Sequence, residues 1–172
     1  MTGDRDLEWL NSLNKSAAES EFLKCCGSQA WSERMTNRRP FASTNDLIAK
    51  ADDIWWSLKP EDWLEAFRSH PKIGEKKAAR NASEQSRTWS EQEQAGTRNA
   101  APETEQALAD LNKEYEQKFG YIFIVCATGK GSEEMLAILR QRMTNDPERE
   151  MQIAAAEQSR ITRLRLEKLL KQ

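Results

Sequence analysis

One short apolar stretch, Tyr121–Cys126, limits the folds that are open to this chain. Its aromatic and β-branched residues are typical of a strand, but no partner strand is apparent elsewhere in the sequence. Apolar residues recur at helical spacing along most of the remaining chain. We therefore predict an all-α protein, in which this stretch forms a buried connector rather than a strand.

Capping and turn signals predict the helix boundaries. The predicted helix starts are Ser16 with Glu19, Ser28, one of Thr44, Asn45 or Asp46, Pro60, Ser90 with Glu93, Ser132 and Pro147. Gly27 and Gly120 are expected to end helices, and another helix should end near Ser69 because His70 precedes a proline. Since the chain has 172 residues and no internal repeat, we expect a single helical-bundle domain over residues 1–172.

The composition excludes several classes of protein. One histidine and three cysteines are too few for a zinc finger or a cysteine-rich cluster, and no metal site is expected. Lysine and arginine (26) against aspartate and glutamate (28) give a net charge of −2, which argues against nucleic-acid binding. No apolar run is long enough for a membrane span, and we expect no signal peptide. The three cysteines, Cys25, Cys26 and Cys126, suit reduced core thiols in a cytoplasmic protein.

His70-Pro71 is the most unusual local pattern. Because the chain has one histidine, any histidine chemistry must use His70. Its position between a helix end and a proline keeps the backbone extended, so the ring can project from a rigid corner. Imidazole titrates near neutral pH, which suits a general acid or base. An ordinary loop histidine would show the same dipeptide, so both interpretations stay open.

The segment Ser90–Gln94 also has two interpretations. As a capping box, Ser90 and Glu93 would bind backbone N–H groups of a first helical turn. As a site, the same groups would lie at the positive end of a helix, where an anion is favoured. In that position Glu93 could also orient His70 and tune its protonation.

Aromatic and basic residues elsewhere are expected to be structural. Most of the six tryptophans lie on apolar helix faces and are expected in the core, although stacking on nucleic-acid bases is an alternative. Trp89 lies in a polar stretch and fits the core less well. The basic series from Arg160 through Arg165 to Lys171, balanced by Glu157 and Glu167, is expected on the solvated face of the last helix.

Motifs along nearly the whole chain add up to a family resemblance. In chain order they are Leu10-Asn11, Phe22, Cys26-Gly27-Ser28, Trp31, Arg39-Pro40-Phe41, Ala66-Phe67, His70-Pro71-Lys72-Ile73-Gly74, Ser90-x-x-Glu93-Gln94-Ala95-Gly96, Leu111-Asn112, Tyr115, Lys118-Phe119-Gly120-Tyr121, Phe123-Ile124-Val125-Cys126, Arg142-Met143, Asn145, Glu150, Glu157 and Arg165-Leu166. In this order and spacing they resemble the 2-oxo-4-hydroxy-4-carboxy-5-ureidoimidazoline (OHCU) decarboxylases, a family that acts in urate breakdown.

The resemblance implies an all-helical, usually homodimeric carboxy-lyase without a metal or organic cofactor, which converts OHCU to (S)-allantoin in purine catabolism. It implies that His70 and Glu93 are catalytic. The implied substrate-binding residues are Pro71, Ser90, Glu91, Gln92, Gln94 and the backbone of Phe123, Ile124, Val125, Cys126 and Ala127. Many relatives carry an arginine soon after the apolar segment, where this chain has Ala127-Thr128-Gly129. An arginine contact to the substrate carboxylate therefore stays unassigned.

The chemistry of OHCU fits a protein without a cofactor. A ring C=N bond beside the carbon that bears the carboxylate and the hydroxyl can take the electron pair released by decarboxylation, a task that often needs a cofactor. We expect His70, oriented by Glu93, to take the hydroxyl proton while polar groups hold the ring. The buried connector must satisfy its backbone groups, either with this ligand or with neighbouring helices. Two other functions stay open: a non-enzymatic helical interaction module, and a hydrolase of a related ureide.

Overall fold

The computed structural model describes the backbone of residues 2–73 and 83–171 and, within these ranges, the side chains from Leu7 onward. Gly74, the last residue of the His-Pro-Lys-Ile-Gly motif, lies outside the described residues. Within them, all regular secondary structure is helical, which confirms the all-α prediction. No described helix is both long and apolar enough to cross a membrane.

The described residues form nine α-helices and one short 3-10 helix. In chain order the α-helices are α1 (Thr2–Ser12), α2 (Lys15–Cys25), α3 (Gln29–Asn37), α4 (Thr44–Ser57), α5 (Pro60–Phe67), α6 (Glu84–Glu93), α7 (Pro102–Phe119), α8 (Ser132–Arg142) and α9 (Pro147–Leu169). The 3-10 helix, Ala95–Thr97, follows α6 directly.

Several predicted boundaries are confirmed. The Ser28 hydroxyl accepts a hydrogen bond from the backbone N–H of Trp31 at 3.2 Å and caps α3. Pro60 and Pro147 begin α5 and α9, where a missing N–H costs nothing. Gly120 ends α7 in the left-handed region, with φ of 83°, which favours glycine.

Three predicted N-terminal caps are wrong by one or two residues. Asn14, not Ser16, caps α2, because its side-chain oxygen already accepts from the N–H of Ala17 at 2.8 Å. The residues proposed for α4, Thr44–Asp46, lie inside the helix, and the hydroxyl of Ser43 caps it. Ser132 is the first helical residue of α8 and not its cap.

The predicted start of a helix at Ser90 is also wrong, and this changes the proposed site. Ser83 caps α6 by accepting from the N–H of Ser86 at 3.1 Å. The helix therefore begins at Glu84, six residues before Ser90, and Ser90 and Glu93 lie in its last turn. The Gln94 N–H donates to the Ser90 carbonyl at 3.0 Å and closes that turn. Neither the capping box nor an anion site at a positive helix end exists here, because this end of the helix dipole is negative.

The chain divides into two compact units. The first contains residues 1–66 and 159–172, and the second contains residues 67–158. Helix α9 supplies its first part to the second unit and its last part to the first. The single-domain organisation of residues 1–172 stays a prediction.

The core of the first unit explains several of the shared motifs. The Phe22 ring makes edge contacts with Trp31 and Phe41, at centroid distances of 5.9 and 6.1 Å. Asn11 pairs with the backbone of Phe41 through two hydrogen bonds of 2.9 and 3.0 Å. These motif residues therefore build the core and not the site.

The predictions for the tryptophans and the cysteines hold for most side chains. Trp31, Trp55 and Trp63 are buried, whereas Trp9 and Trp56 are 41% and 44% exposed. Trp89 is also buried, at 3% exposed, so the expectation that it fits the core less well is wrong. All three cysteines are buried free thiols, as expected.

The last helix corrects the expected solvated basic face. Arg165 is only 2% exposed, and one of its guanidinium nitrogens lies 3.4 Å from the Lys24 carbonyl oxygen. Burial raises the pKa of the neighbouring Cys25 and Cys26 thiols, and the positive charge of Arg165 acts in the opposite direction. Glu157 is also partly buried, and its carboxylate accepts a hydrogen bond from the backbone N–H of Cys126.

Candidate active site

The connector that follows α7 runs buried through the second unit. Its residues 121–127 are buried apart from the half-buried Ile122 and contain no strand, which confirms the interpretation as a connector. Arg142 donates to the carbonyl oxygen of Ile124 at 2.5 Å. At Cys126, the backbone N–H donates to Glu157 Oε2 at 3.1 Å, and the carbonyl accepts from Lys130 Nζ at 2.7 Å. Neighbouring side chains, and not a ligand, therefore satisfy these three groups.

A buried ion pair holds the connector from one side. Arg142 Nε lies 2.5 Å from Glu150 Oε1, and the Tyr115 hydroxyl donates to the same oxygen at 2.8 Å. Asn145 Nδ2 donates to the other carboxylate oxygen at 3.0 Å. The Arg142 guanidinium also lies 4.6 Å from the centroid of the Phe123 ring. These four polar residues belong to the shared motifs, and the structure gives them a positioning task that the sequence did not reveal.

The His-Pro corner places the ring of the single histidine against helix α9. The His70 N–H donates to the carbonyl oxygen of Phe67 at 3.2 Å, just beyond the end of α5. Its half-buried ring lies with Nε2 2.6 Å from Oε1 of Gln158, a fully buried residue of α9. Sequence reasoning missed Gln158. The available signal was a polar residue at apolar spacing, four residues after Ala154 and three before Ile161.

The last turn of α6 presents two kinds of residue. Ser90 and Glu93 are buried, Glu93 being 8% exposed, and Gln94 is partly buried. Glu91 and Gln92 are exposed on the other side of the turn. Residues three and four apart share a helix face, so Ser90, Glu93 and Gln94 form one polar group.

The turn after Glu93 packs against the end of the connector. A β carbon on Gly96 would lie 2.2 Å from the Lys130 carbonyl oxygen, so the two backbones meet more closely than another residue would allow. Burial is the main cause that raises the pKa of the Cys126 thiol, and the Glu157 and Glu93 carboxylates raise it further. The charge of Lys130 acts in the opposite direction. Glu157 and Lys130 therefore contact the backbone of Cys126, and Glu93 is near enough to act on its thiol electrostatically.

These contacts bring the predicted site elements into one region of the second unit. Glu157 holds Cys126, and the next residue along α9, Gln158, holds His70. Glu93 acts on the same Cys126 from α6. No group of three histidine, cysteine, aspartate or glutamate side chains among the described residues could hold a metal ion.

A cavity of about 230 Å³ lies in the same unit. Its wall contains Lys72 and Ile73, which directly follow the His-Pro corner, and Thr97, which directly follows Gly96. Its polar lining also includes Glu105, Asn112, Lys113 and Ser132. A small polar molecule therefore has space beside the segments that carry His70 and Glu93.

An imidazole, a buried carboxylate and a partly buried ammonium group in one compact unit are groups that can carry out acid–base chemistry. Comparison with known proteins identifies the family. The OHCU decarboxylase family model matches residues 11–167, and the chain belongs to this family.

Known relatives show the same relationship. The chain is 42% identical over 153 residues to the uric acid degradation bifunctional protein TTL of Arabidopsis thaliana, a match that covers 88% of this chain and 47% of that protein. It is 33% identical to the OHCU decarboxylase of Amia calva, with 77% of this chain and 75% of that protein covered. The chain thus spans about half the length of the Arabidopsis relative.

A solved structure confirms the fold. A crystal structure of OHCU decarboxylase in the presence of (S)-allantoin matches with a TM-score of 0.75 at 37% sequence identity. The match covers 88% of this chain and 98% of that one. The predicted fold of the OHCU decarboxylase type is therefore correct.

Proposed function

We propose that this chain decarboxylates OHCU to (S)-allantoin, with His70 and Glu93 as the catalytic residues. One observation carries the proposal: buried Glu93 acts on Cys126, while α9 holds Cys126 through Glu157 and His70 through Gln158. The known relatives in urate degradation support the same substrate.

The proposed reaction needs only proton transfers from the protein. The bond to the carboxylate breaks, carbon dioxide leaves, and the electron pair forms a double bond to the adjacent ring carbon. The former C=N pair moves to nitrogen, which takes a proton. His70 then accepts the hydroxyl proton as the carbonyl forms, and the adjacent carbon takes a proton on one face. The negative charge of Glu93 stabilises the charged form of His70.

Substrate binding is proposed for the buried side of this region. Ser90 and Gln94 share the face of Glu93, and Pro71 fixes the corner beside His70. The backbone of residues 123–127 provides the opposite wall. Glu91 and Gln92 are exposed on the other side of the turn, so we do not expect them to bind the substrate.

An anionic substrate also needs a positive partner, since Glu93 and Glu157 give this region negative charge. Lys130 is a partly buried cation that acts on Cys126 together with those two carboxylates. We propose that its ammonium group binds the substrate carboxylate, which supplies the contact left unassigned by Ala127-Thr128-Gly129.

Circular dichroism of the products of urate oxidation tests the function directly. Urate oxidase and hydroxyisourate hydrolase would generate fresh OHCU, and this protein should accelerate formation of the (S) enantiomer of allantoin with release of carbon dioxide. His70→Asn and Glu93→Gln should each abolish that acceleration. Glu91→Gln, on the exposed side of the same turn, is the matched control and should keep it.

Other outcomes would replace the proposal. A folded wild-type protein that leaves the rate and handedness of allantoin formation unchanged would favour the interaction module. Consumption of a related ureide without carbon dioxide would favour the hydrolase. Near wild-type rates in either the His70→Asn or the Glu93→Gln variant would remove that residue from the mechanism.

We further propose that the chain forms a homodimer and works in the cytoplasm without a cofactor. The family resemblance supports the homodimer, and three buried free thiols suit a reducing compartment. Sedimentation equilibrium would test the dimer, which should have twice the chain mass of 19.8 kDa. Dialysis against a chelator should leave activity unchanged.

A further inference from the structure

The contact between His70 and Gln158 determines more than the position of the ring. Nε2 of the imidazole and Oε1 of the amide are 2.6 Å apart, and Gln158 is 0% exposed. The same helix is tied to the connector one residue earlier, where Glu157 accepts from the Cys126 N–H. The amide is therefore held from the interior by a helix that packing has fixed.

An amide oxygen can only accept a hydrogen bond. With the amide oxygen turned towards the ring, a 2.6 Å contact is a hydrogen bond only when Nε2 carries the proton, which in a neutral ring leaves Nδ1 without one. A neutral imidazole has one N–H, and its basic nitrogen is therefore Nδ1. The two ring nitrogens point in different directions, so the lone pair of Nδ1 points away from Gln158.

We propose that Gln158 is a positioning residue that fixes the Nε2–H tautomer of His70, so that Nδ1 transfers the proton. The part that concerns catalysis rests on the proposed decarboxylation. In that step the substrate O–H bond breaks, its electron pair forms the carbonyl, and Nδ1 takes the proton. The resulting imidazolium keeps its Nε2–H on the Gln158 oxygen throughout.

Because the chain has one histidine, ¹H–¹⁵N NMR can test the tautomer without residue assignment, and the stronger coupling of the Hδ2 proton to Nε2 distinguishes the two nitrogens. Protein labelled with ¹⁵N in its histidine would be recorded at a pH where the ring is neutral. We expect one pyrrole-type nitrogen, Nε2, and one pyridine-type nitrogen, Nδ1. The reverse pattern, with a proton on Nδ1, would mean that the amide is turned round and would overturn the proposal.

Two substitutions at position 158 separate positioning from packing. Gln158→Leu removes the acceptor, so we expect a mixture of tautomers and a kcat at least tenfold lower, with KM nearly unchanged. Gln158→Glu keeps an accepting oxygen and should restore the Nε2–H pattern and part of kcat. Asn112→Leu removes another buried amide of this unit, one that donates to Ile73, and should leave the tautomer unchanged.

The outcomes distinguish this inference from the proposed function. A wild-type protein with the Nε2–H tautomer but no allantoin formation would contradict the function and leave the tautomer in place. An active Gln158→Leu variant with wild-type kcat and an unchanged tautomer would contradict the inference alone. If Gln158→Leu does not fold, the NMR spectrum of the wild-type protein still decides which nitrogen carries the proton.

Discussion

The carbonyl oxygen of Lys130 lies so close to Gly96 that a β carbon on residue 96 would be 2.2 Å from it. The Lys130 carbonyl carbon would be only 3.0 Å away, so the neighbour is backbone and not a mobile side-chain end. This approach joins the turn after Glu93 to the segment after the connector. The distance between the two parts of the proposed site therefore depends on residue 96 being a glycine, which has no side chain.

Gly96→Ala should push these two segments apart. We expect a loss of about 1–3 kcal/mol in the free energy of unfolding, as for other overpacked sites, and a large loss of activity. Gly131→Ala is the matched control, because nothing lies within 4 Å of its added β carbon. Urea denaturation and product circular dichroism would measure both effects. Equal stability and activity in the two variants would contradict the role given to the contact.

Removal of Arg142 should destabilise the second unit strongly. Arg142→Met leaves the buried Glu150 carboxylate without its cation and the Ile124 carbonyl without its donor. Breaking a buried pair in this way costs roughly 3–5 kcal/mol. Arg163→Met breaks an exposed pair with Glu167 and should change stability by no more than about 0.5 kcal/mol. Guanidinium denaturation compares them, and a similar small effect for both would argue against the network.

Lys130→Met should weaken substrate binding more than it slows turnover. A hydrogen bond to a charged group contributes about 1.5–3 kcal/mol, so KM for OHCU should rise roughly tenfold or more. Lys130→Arg keeps the charge and should recover most of the affinity, and the exposed Lys59→Met is a control without an expected effect. Steady-state kinetics would separate the change in KM from the change in kcat. An unchanged KM in Lys130→Met would assign Lys130 only to its bond with Cys126.

The buried thiols should be protected and should make stability fall at high pH. Burial raises the pKa of Cys26 from 9.0 to about 12, and it also raises the pKa of Cys25 and of Cys126. The unfolded chain ionises these thiols first, so their contribution to stability is complete below pH 9 and is lost as the pH rises towards 12. Native protein at pH 8 should react slowly with Ellman's reagent, and unfolded protein should react rapidly at all three thiols. Rapid native reaction would contradict the burial.

The sequence predicted the elements better than their ends. Apolar spacing was sufficient for the helices because packing stabilises an amphipathic face wherever it occurs. Caps were less certain, since Ser, Thr, Asn and Asp near a helix start compete for the same N–H groups. Asn14 caps α2 in place of Ser16, and Ser83 caps α6 in place of Ser90, because each lies where the extended chain enters the helix.

By itself, the sequence determined the all-α class, the buried connector and the identity of the single histidine that can do acid–base work. These follow from local spacing and composition, which any window of the chain contains. The tertiary structure decided which polar residue meets which. Gln158 lies 88 positions from His70, Glu157 lies 31 positions from Cys126, and the meeting of Gly96 with Lys130 depends on a backbone contact. No local pattern encodes such pairs, because packing of whole helices sets their distances.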